Sequence, residues 1–425
     1  MIAILDIGKT NKKCLVFDAN YQLVYEQTAQ LPETCDEEGE TCEDVALLRQ
    51  WVLDTVRAVA QDTRFQIRAF HATSYGASWV HVDAAGEALT PLYNYLRPFP
   101  EELKKQFFER YGAELTIARE TASPILGNLN SGWQLYWLKH RRPAVFRQIK
   151  WSLHLPQYIG FLIRLALDGQ AEPVWASEIT SVGCHTLLWD MQQNEYHRWV
   201  NAEGLLEKFP PFWPARQVLP GRAELPQTGI GLHDSSAALI PYLACFEEPF
   251  LLLSTGTWCI SLNPFNDEPL SAAELEQDCL CYLSYDGRPV KAARYFGGRV
   301  YEDGLRALAA QFELEEHFFH NIDPDEPSER AKAYDRLMQE IVEDQVRSTR
   351  LALGRSPVRR IVVDGGFAQN ALYLRLLAKA FPELEVFSAT MPQATALGAA
   401  LAIHAAWNPG PLPRNLISLK KYEAL

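Results

Sequence analysis

Short apolar runs separated by small polar turns open the chain. Ile2–Leu5 reads as a strand, Asp6-Ile-Gly-Lys-Thr-Asn11 as a turn, and Lys13-Cys-Leu-Val-Phe17 as a second strand. The pattern recurs in the other half, as Phe250–Leu253, the turn Ser254-Thr-Gly-Thr257, and Trp258-Cys-Ile-Ser-Leu262. Small and polar residues at such places suit tight β-turns whose backbone N–H groups face outward. Leu48, Trp51, Val52, Thr55, Val56 and Val59 recur at helical spacing, as do Tyr334, Leu337, Met338 and Ile341. Gly354 is placed to end that second helix. Beyond it the order alternates: strand Ile361–Val363, helix Ala368–Ala380, strand Leu384–Phe387, helix Ala394–Ala406. Alternating elements predict an α/β class with largely covered sheets. Five prolines between Lys208 and Pro226 interrupt regular structure. A boundary is therefore expected near residue 227, dividing the chain into 1–227 and 228–425.

Composition narrows the class. The 425 residues carry 40 basic and 53 acidic side chains, a net charge of −13. That length suits two or three domains of roughly 150 residues each. The acidic excess argues against a broad nucleic-acid or anionic-membrane surface, because either favours clustered Lys and Arg. It leaves room for an anionic ligand held locally by backbone N–H groups and a few cations. No basic and apolar leader pattern follows Met1, and apolar runs such as Pro249–Ser254 fall short of the roughly 18 residues that span a bilayer. Eight cysteines without a CxxC pair read as reduced, structural thiols in a cytoplasmic protein. Cys279-Leu-Cys281 has no neighbours at metal-ligand spacing.

Four segments offer chemistry. In the first turn Gly8 allows close approach of backbone to a ligand, and Thr10 and Asn11 add short polar contacts. Lys9, Lys12 and Lys13 bring cations to the same place, with strand alternation expected to put Lys9 and Lys13 on one side. Asp6 at the strand end suits Mg²⁺, which keeps several waters and few carboxylates. A merely solvated hairpin is the competing reading. In the second turn Thr255, Gly256 and Thr257 can cradle phosphate oxygens, although such residues also fill ordinary turns. Asp234, in Gly229-Ile-Gly-Leu-His-Asp-Ser-Ser-Ala-Ala238, is placed to accept a proton from a hydroxyl or simply to cap a helix. Gly365 and Gly366, followed by Asn370, let a nucleotide lie against a helix start. No GxxxxGK[ST] P-loop occurs.

In this order and at these distances, the four segments resemble the FGGY family of carbohydrate kinases, over nearly the whole chain. The resemblance implies two ribonuclease-H-like domains of the actin and hexokinase-like superfamily around a central ATP and sugar cleft. It implies ATP and Mg²⁺, with Asp234 as catalytic base and Asp6 at the metal. Gly8, Lys9, Thr10, Asn11 and Lys13 would serve the phosphates together with Thr255, Gly256 and Thr257. Gly365, Gly366 and Asn370 would serve adenosine, and Tyr75, Gly76, Asn94, Asn130 and Asp234 the sugar. Ser254-Thr-Gly-Thr-Trp258 is similar to a segment of rhamnulokinases and fuculokinases, as Leu232–Ala237 is to the rhamnulokinase stretch around its catalytic Asp. Ala394-Thr-Ala-Leu-Gly-Ala399 matches a late family helix, and Thr73-Ser-Tyr-Gly76 sits where rhamnulokinases carry a sugar-contacting loop. The implied reaction is phosphorylation of a ketose such as L-rhamnulose or L-fuculose. The alternatives are another pentulose or a polyol as acceptor, and a sugar- and nucleotide-binding regulator without catalysis. The expected partners are sugar and ATP, with a homodimer as the oligomeric candidate, and without nucleic acid or membrane. The chain departs from the pattern at Lys9, at Phe367, in Leu92-Tyr-Asn-Tyr95, and in Val290–Glu302, where Phe296-Gly-Gly298 stands in for a glycine-rich insert.

Overall fold

The structure, a computed structural model of the chain, describes residues 1–169, 172–220, 222–319, 322 and 326–424. Gly221 of the proline-rich stretch and Leu425 of the expected second domain lie outside the described residues. Two compact units are present, the first made of 1–244, 281–288 and 393–413, the second of 245–280, 289–392 and 414–425.

Each unit is built on the same local device. In the first, Ile2–Ile7 pairs antiparallel with Lys12–Phe17 and parallel with Ala69–Ser74. In the second, Phe250–Thr255 pairs antiparallel with Cys259–Asn263 and parallel with Arg360–Gly365. A strand sandwiched this way is buried on both faces and so reads as a continuous apolar run rather than an alternating one. Ile2, Ala3, Ile4, Leu5 and Ile7 are all fully buried, as are Phe250, Leu251 and Leu253.

The first unit's sheet runs Val218–Leu219, Gln227–Gly229, Ala69–Ser74, Ile2–Ile7, Lys12–Phe17, Leu23–Ala29. Leu232–His233 adds to the far end of Ala69–Ser74. These late pairings explain why the first unit extends to Ala244, beyond the boundary expected near 227. They also place Asp234 in the first unit, where the sequence reading had it in the second domain. One face of the sheet is covered by Val45–Gln61 and Leu155–Leu167, whose Leu48, Val52, Val56, Ile159 and Leu162 join the strands in one core. A second, aromatic core gathers Trp79, Phe107, Trp133, Tyr136 and Trp199.

The second unit's sheet includes, in order, Pro289–Tyr295, Cys259–Asn263, Phe250–Thr255, Arg360–Gly365, Glu385–Thr390 and Ser418–Tyr422. Glu329–Leu353 packs on it and ends at Gly354 in a positive-φ conformation (48°) that favours glycine. The helix expected from Ala368 begins instead at Ala371, because Asn370 caps it by accepting from the Tyr373 N–H at 3.0 Å. All eight cysteines are thiols, and Cys279 and Cys281 are buried in a strand. Among the described residues no helix is long and apolar enough to cross a membrane.

In the first unit the Ala-rich helix Ala394–Ala402 lies close against Ala237 of the helix that starts at Asp234. A Cβ on Gly398 would stand 1.8 Å from the Ala237 carbonyl oxygen. Gly398→Ala should therefore lower the thermal unfolding midpoint, by the equivalent of about 1–3 kcal/mol as expected for overpacking. An unchanged midpoint would show that the two helices part without cost.

Candidate active site

The first unit's turn is tied down by charge. Gly8 N–H bonds the Asn11 carbonyl at 2.9 Å, and a Cβ on Gly8 would meet that same oxygen at 2.9 Å. Thr10 and Asn11 are exposed. Lys12 is almost completely buried: its Nζ bonds the Lys9 carbonyl at 2.9 Å and pairs with Glu43 Oε2 at 2.7 Å. Lys9 Nζ reaches the other oxygen of Glu43 at 3.0 Å and Glu33 at 3.5 Å, and it lies 5.9 Å above the Tyr75 ring. The Tyr75 hydroxyl donates to Glu43 Oε1 at 2.5 Å. Lys9 thus groups with Lys12 on Glu43, whereas Lys13 pairs with Glu26 at 3.0 Å. This corrects the expected pairing of Lys9 with Lys13, since Lys9 lies in the turn before the strand begins and does not follow its alternation. Glu43 carries no motif of its own and was not legible as a site residue.

Asp6, Lys13 and Thr73 stand in register on three adjacent strands. The Thr73 hydroxyl is buried without a partner. Burial and the nearby Asp234 push the Asp6 carboxyl up to about 7, with Lys13 acting against them. Asp234 opens its helix and accepts from its neighbour Ser235 through N–H (2.6 Å) and hydroxyl (3.2 Å). Burial pushes its carboxyl up to about 6, against those two bonds. His233 Nε2 is 3.4 Å from Asp234, but burial lowers the imidazole to about 4, so this contact is not an ion pair near neutral pH. A Cβ on Gly76 would meet His233 Nε2 at 2.8 Å, which brings the Tyr75–Gly76 loop beside the Asp234 turn. Tyr95 stacks obliquely on Tyr75, 6.0 Å away, and feels the charges of Lys9 and Asp234.

The other two proposed sugar contacts have local roles. Asn94 Oδ1 accepts the Leu96 N–H at 2.9 Å, closing a turn. Asn130 is fully buried, and its amide bonds Leu126 N–H, Ser123 Oγ, Pro124 O and His185 O. Those bonds occupy the amide and hold a loop together.

The second unit builds its turn without charge. Thr255 Oγ1 donates to the Asp364 carbonyl (2.6 Å) and accepts the Phe367 N–H (3.0 Å), joining the turn to the Gly365–Gly366 segment. Gly365 has φ +90°, and a Cβ there would lie 2.0 Å from the Thr255 carbonyl. On the other side a Cβ on Gly298 would lie 2.0 Å from the Gly256 carbonyl. A cavity of about 920 Å³ opens here, lined by Gly256, Thr257, Gly298, Tyr301, Tyr334 and Phe367 among others. That volume lies in the range of small-molecule and cofactor sites. Asn370 lines it too, its Nδ2 bonded to the Tyr334 hydroxyl at 2.9 Å. Tyr334, read from sequence as a core position on its helix, is a wall of this cavity. Among the described residues no cluster of three or more His, Cys, Asp or Glu is placed to hold a metal ion.

Residues 1–221 match the N-terminal domain of the FGGY family of carbohydrate kinases. Residues 331–407 match the family's C-terminal domain, and 247–324 a further carbohydrate kinase FGGY C-terminal domain. No curated protein matches the sequence. Among solved structures, a carbohydrate kinase from Novosphingobium aromaticivorans is 25% identical, with TM-score 0.79 over 100% of this chain and 96% of that one. A ligand-bound xylulose kinase from Lactobacillus acidophilus is 17% identical, with TM-score 0.80 over 100% and 94%. A gluconate kinase from the same organism is 16% identical, with TM-score 0.79 over 100% and 93%.

Two consequences can be measured. The Asp6 carboxyl is raised above its unfolded value of about 4, so the folded chain binds its proton more tightly and stability falls as pH rises from about 4 through 7. Asp6→Asn should raise the thermal midpoint at pH 8, with the gain vanishing toward pH 4. A gain independent of pH would show that Asp6 titrates normally. Glu43→Gln should destabilise by about 3–5 kcal/mol, because it leaves the buried Lys12 ammonium uncompensated. Adding Lys12→Met should recover part of that loss in urea unfolding, and strictly additive losses would refute the coupling.

Proposed function

Since the chain belongs to the FGGY family of carbohydrate kinases, we propose that it moves the γ-phosphoryl group of ATP to a primary hydroxyl of a small, uncharged ketose. The observation that carries this reading is Asp234, whose carboxyl is held at about 6 beside a second raised carboxyl, Asp6. A base with a value near the working pH combines an ionised form with useful proton affinity. The hydroxyl oxygen attacks the γ-phosphorus and its proton passes to Asp234. The bond to the β,γ-bridging oxygen breaks, and ADP leaves with that electron pair.

The same reading assigns roles to the turns. Lys13 and the N–H groups from Gly8 to Asn11 serve phosphate oxygens, as does the Thr255–Thr257 turn, and the cavity beside Gly366 and Asn370 takes adenosine. Lys13 suits the task because its pair with Glu26 is partly exposed and exchanges at little cost. Lys12 does not, because its ammonium is buried on Glu43. Asp6 would hold Mg²⁺, since a buried carboxylate crowded by another is stabilised by a cation and Mg²⁺ needs few carboxylates. Bound there, the ion would neutralise charge on the transferring phosphoryl group.

Acceptor charge follows from the lysines. Lys9 and Lys12 both already face Glu43, which favours a neutral polyhydroxy acceptor over a sugar acid. The likeness of Ser254–Trp258 and Leu232–Ala237 to rhamnulokinase and fuculokinase segments supports L-rhamnulose or L-fuculose as first candidates.

ADP release from Mg-ATP should therefore depend on a ketose, measured against L-rhamnulose, L-fuculose, xylulose, ribulose, glycerol and gluconate, with gluconate among the poorest. Sugar binding without ADP release would favour a non-catalytic regulator. Asp234→Asn should lower turnover by ~10²–10⁴-fold while ATP binding persists. In the wild type, kcat/KM should rise through about pH 6 as Asp234 ionises. Full activity of the Asn variant would remove Asp234 from the mechanism.

A further inference from the structure

The first unit contains a third raised carboxyl that phosphoryl transfer leaves without a task. Glu178 is fully buried, and burial pushes its carboxyl up to about 7. Its Oε2 accepts the Thr180 N–H at 2.9 Å, the Ser181 N–H at 3.3 Å and the Thr180 hydroxyl at 2.5 Å. Its Oε1 is buried and has no partner. Because the Thr180 hydroxyl donates its only proton to Glu178, its oxygen faces other groups purely as an acceptor. It accepts the backbone N–H of His233 at 3.0 Å. His233 is the residue before Asp234 and the last of its short strand.

We propose that Glu178 and Thr180 are positioning residues for Asp234, acting as a two-step relay that fixes the backbone from which the aspartate projects. The proposal rests on the reading of Asp234 as the base. A helix cap alone does not need this arrangement, since Glu178 already takes two backbone N–H groups of its own turn. The hydroxyl extends the hold to a strand some fifty residues away in sequence, at the point where the chain turns into the Asp234 helix. The His233 ring contacts Cys184 Sγ at 3.4 Å and Ser236 Oγ at 3.3 Å, long bonds between neutral partners. Leu232 and His233 pair with only two residues of the neighbouring strand.

The consequence for chemistry runs through Ser235. Its N–H and hydroxyl bonds favour the ionised form of Asp234, and their geometry depends on where the His233–Asp234 peptide sits. The other titratable groups that face Asp234 are Asp6 on the first strand, with Lys13 opposite it, Tyr95, and His233 itself. His233 in turn faces His154, Cys184 and Tyr282. The relay meets His233 through its backbone N–H, so it can be altered without replacing any of these side chains.

Thr180→Val keeps the shape and removes the hydroxyl. It should lower sugar-dependent kcat by about 10-fold, the scale expected when a catalytic group is slightly misplaced. KM for ATP should stay within about 2-fold, because nucleotide binding is not touched. The acid limb of kcat/KM should move up by about half a pH unit as the Ser235 bonds loosen. Thr180→Ser, which restores the hydroxyl, should restore both rate and limb. Glu178→Gln combined with Thr180→Val should be no worse than the poorer single change, since both cut one relay. An unmoved acid limb, no rescue by serine, or additive losses would overturn the proposal. The titration of the Asp234 carboxyl, followed by carbon-13 NMR of labelled aspartate and identified with Asp234→Asn, reads the same relay without turnover. A shifted titration in Thr180→Val supports the relay and an unshifted one overturns it, whatever the ADP assay finds. Absence of sugar-dependent ADP in the wild type would instead refute the kinase reading alone.

Discussion

The first turn of the first unit depends on one buried carboxylate, Glu43. It receives Lys12, Lys9 and the Tyr75 hydroxyl, and its backbone exchanges both N–H···O bonds with Leu92. Lys12 is the element that makes this binding obligatory. An ammonium with 1% exposure costs several kcal/mol to desolvate and is tolerated only with a close counter-charge and hydrogen bonds. Glu43 and the Lys9 carbonyl supply these, and in doing so they fix three things together. The hairpin turn closes on Lys9, the Thr41–Glu43 strand docks beside it, and Tyr75 is oriented next to Gly76. A change at Glu43 therefore reaches the Asp6 turn and the Tyr75 loop at once.

The second unit holds an equivalent turn by a different means. Thr255 uses its single hydroxyl as both donor and acceptor, and Gly365 and Gly298 let neighbouring backbones come to distances that no Cβ permits. One unit thus fixes its turn by charge and the other by close backbone contact. Both turns are proposed to meet phosphate oxygens, and they do so by different means. Triphosphate oxygens are best met by N–H groups and hydroxyls that bring no competing carboxylate, which the glycine-rich turn provides.

Much of this was visible in the sequence, and the reason is local. Apolar runs such as Ile2–Ile7 and Phe250–Thr255 have to be buried strands, and the small residues after them have to be turns. Asp6, Gly8, Asp234 and Gly365 could be singled out because each stands at a strand end or helix start, where sequence spacing still says where a side chain or backbone group lies. Glu43, Glu178 and Thr180 could not. Partners of Glu43 and Thr180 lie 31 to 53 residues away, Lys12 and Tyr75 from Glu43 and His233 from Thr180, while Glu178 bonds its own turn and reaches His233 only through Thr180. Nothing in a short window tells such a carboxylate from a solvated one. The same limit hid Tyr334, whose helical periodicity is satisfied equally by core packing and by lining a cavity. It also explains the late boundary. The strands Gln227–Gly229 and Leu232–His233 are too short to read as strands, yet their pairing with Ala69–Ser74 carries the first unit past the prolines.

Burial alone does not distinguish a working carboxylate from a structural one in this chain. Glu203 has no exposed side-chain surface, and burial pushes it up, but Lys139 and Tyr111 more than offset this and leave it below the usual range. Glu120 behaves the same way through His197 and Arg198. These two hold the helical part of the first unit together and are more stable ionised. Asp6, Asp234 and Glu178 move the other way. Each is raised chiefly by burial, and only Asp6 has a cation acting against the rise. Each therefore destabilises the fold in the pH range where it ionises, the opposite of the contribution made by Glu203. An arrangement in which two such groups also crowd one another is costly to keep, and packing gives no reason to keep it. The uncompensated burial of Asp6 and Asp234 is what the proposed cation at the one and the proposed hydroxyl proton at the other would relieve. At Glu178, where neither can reach, the same deficit points inward to the hydroxyl it orders.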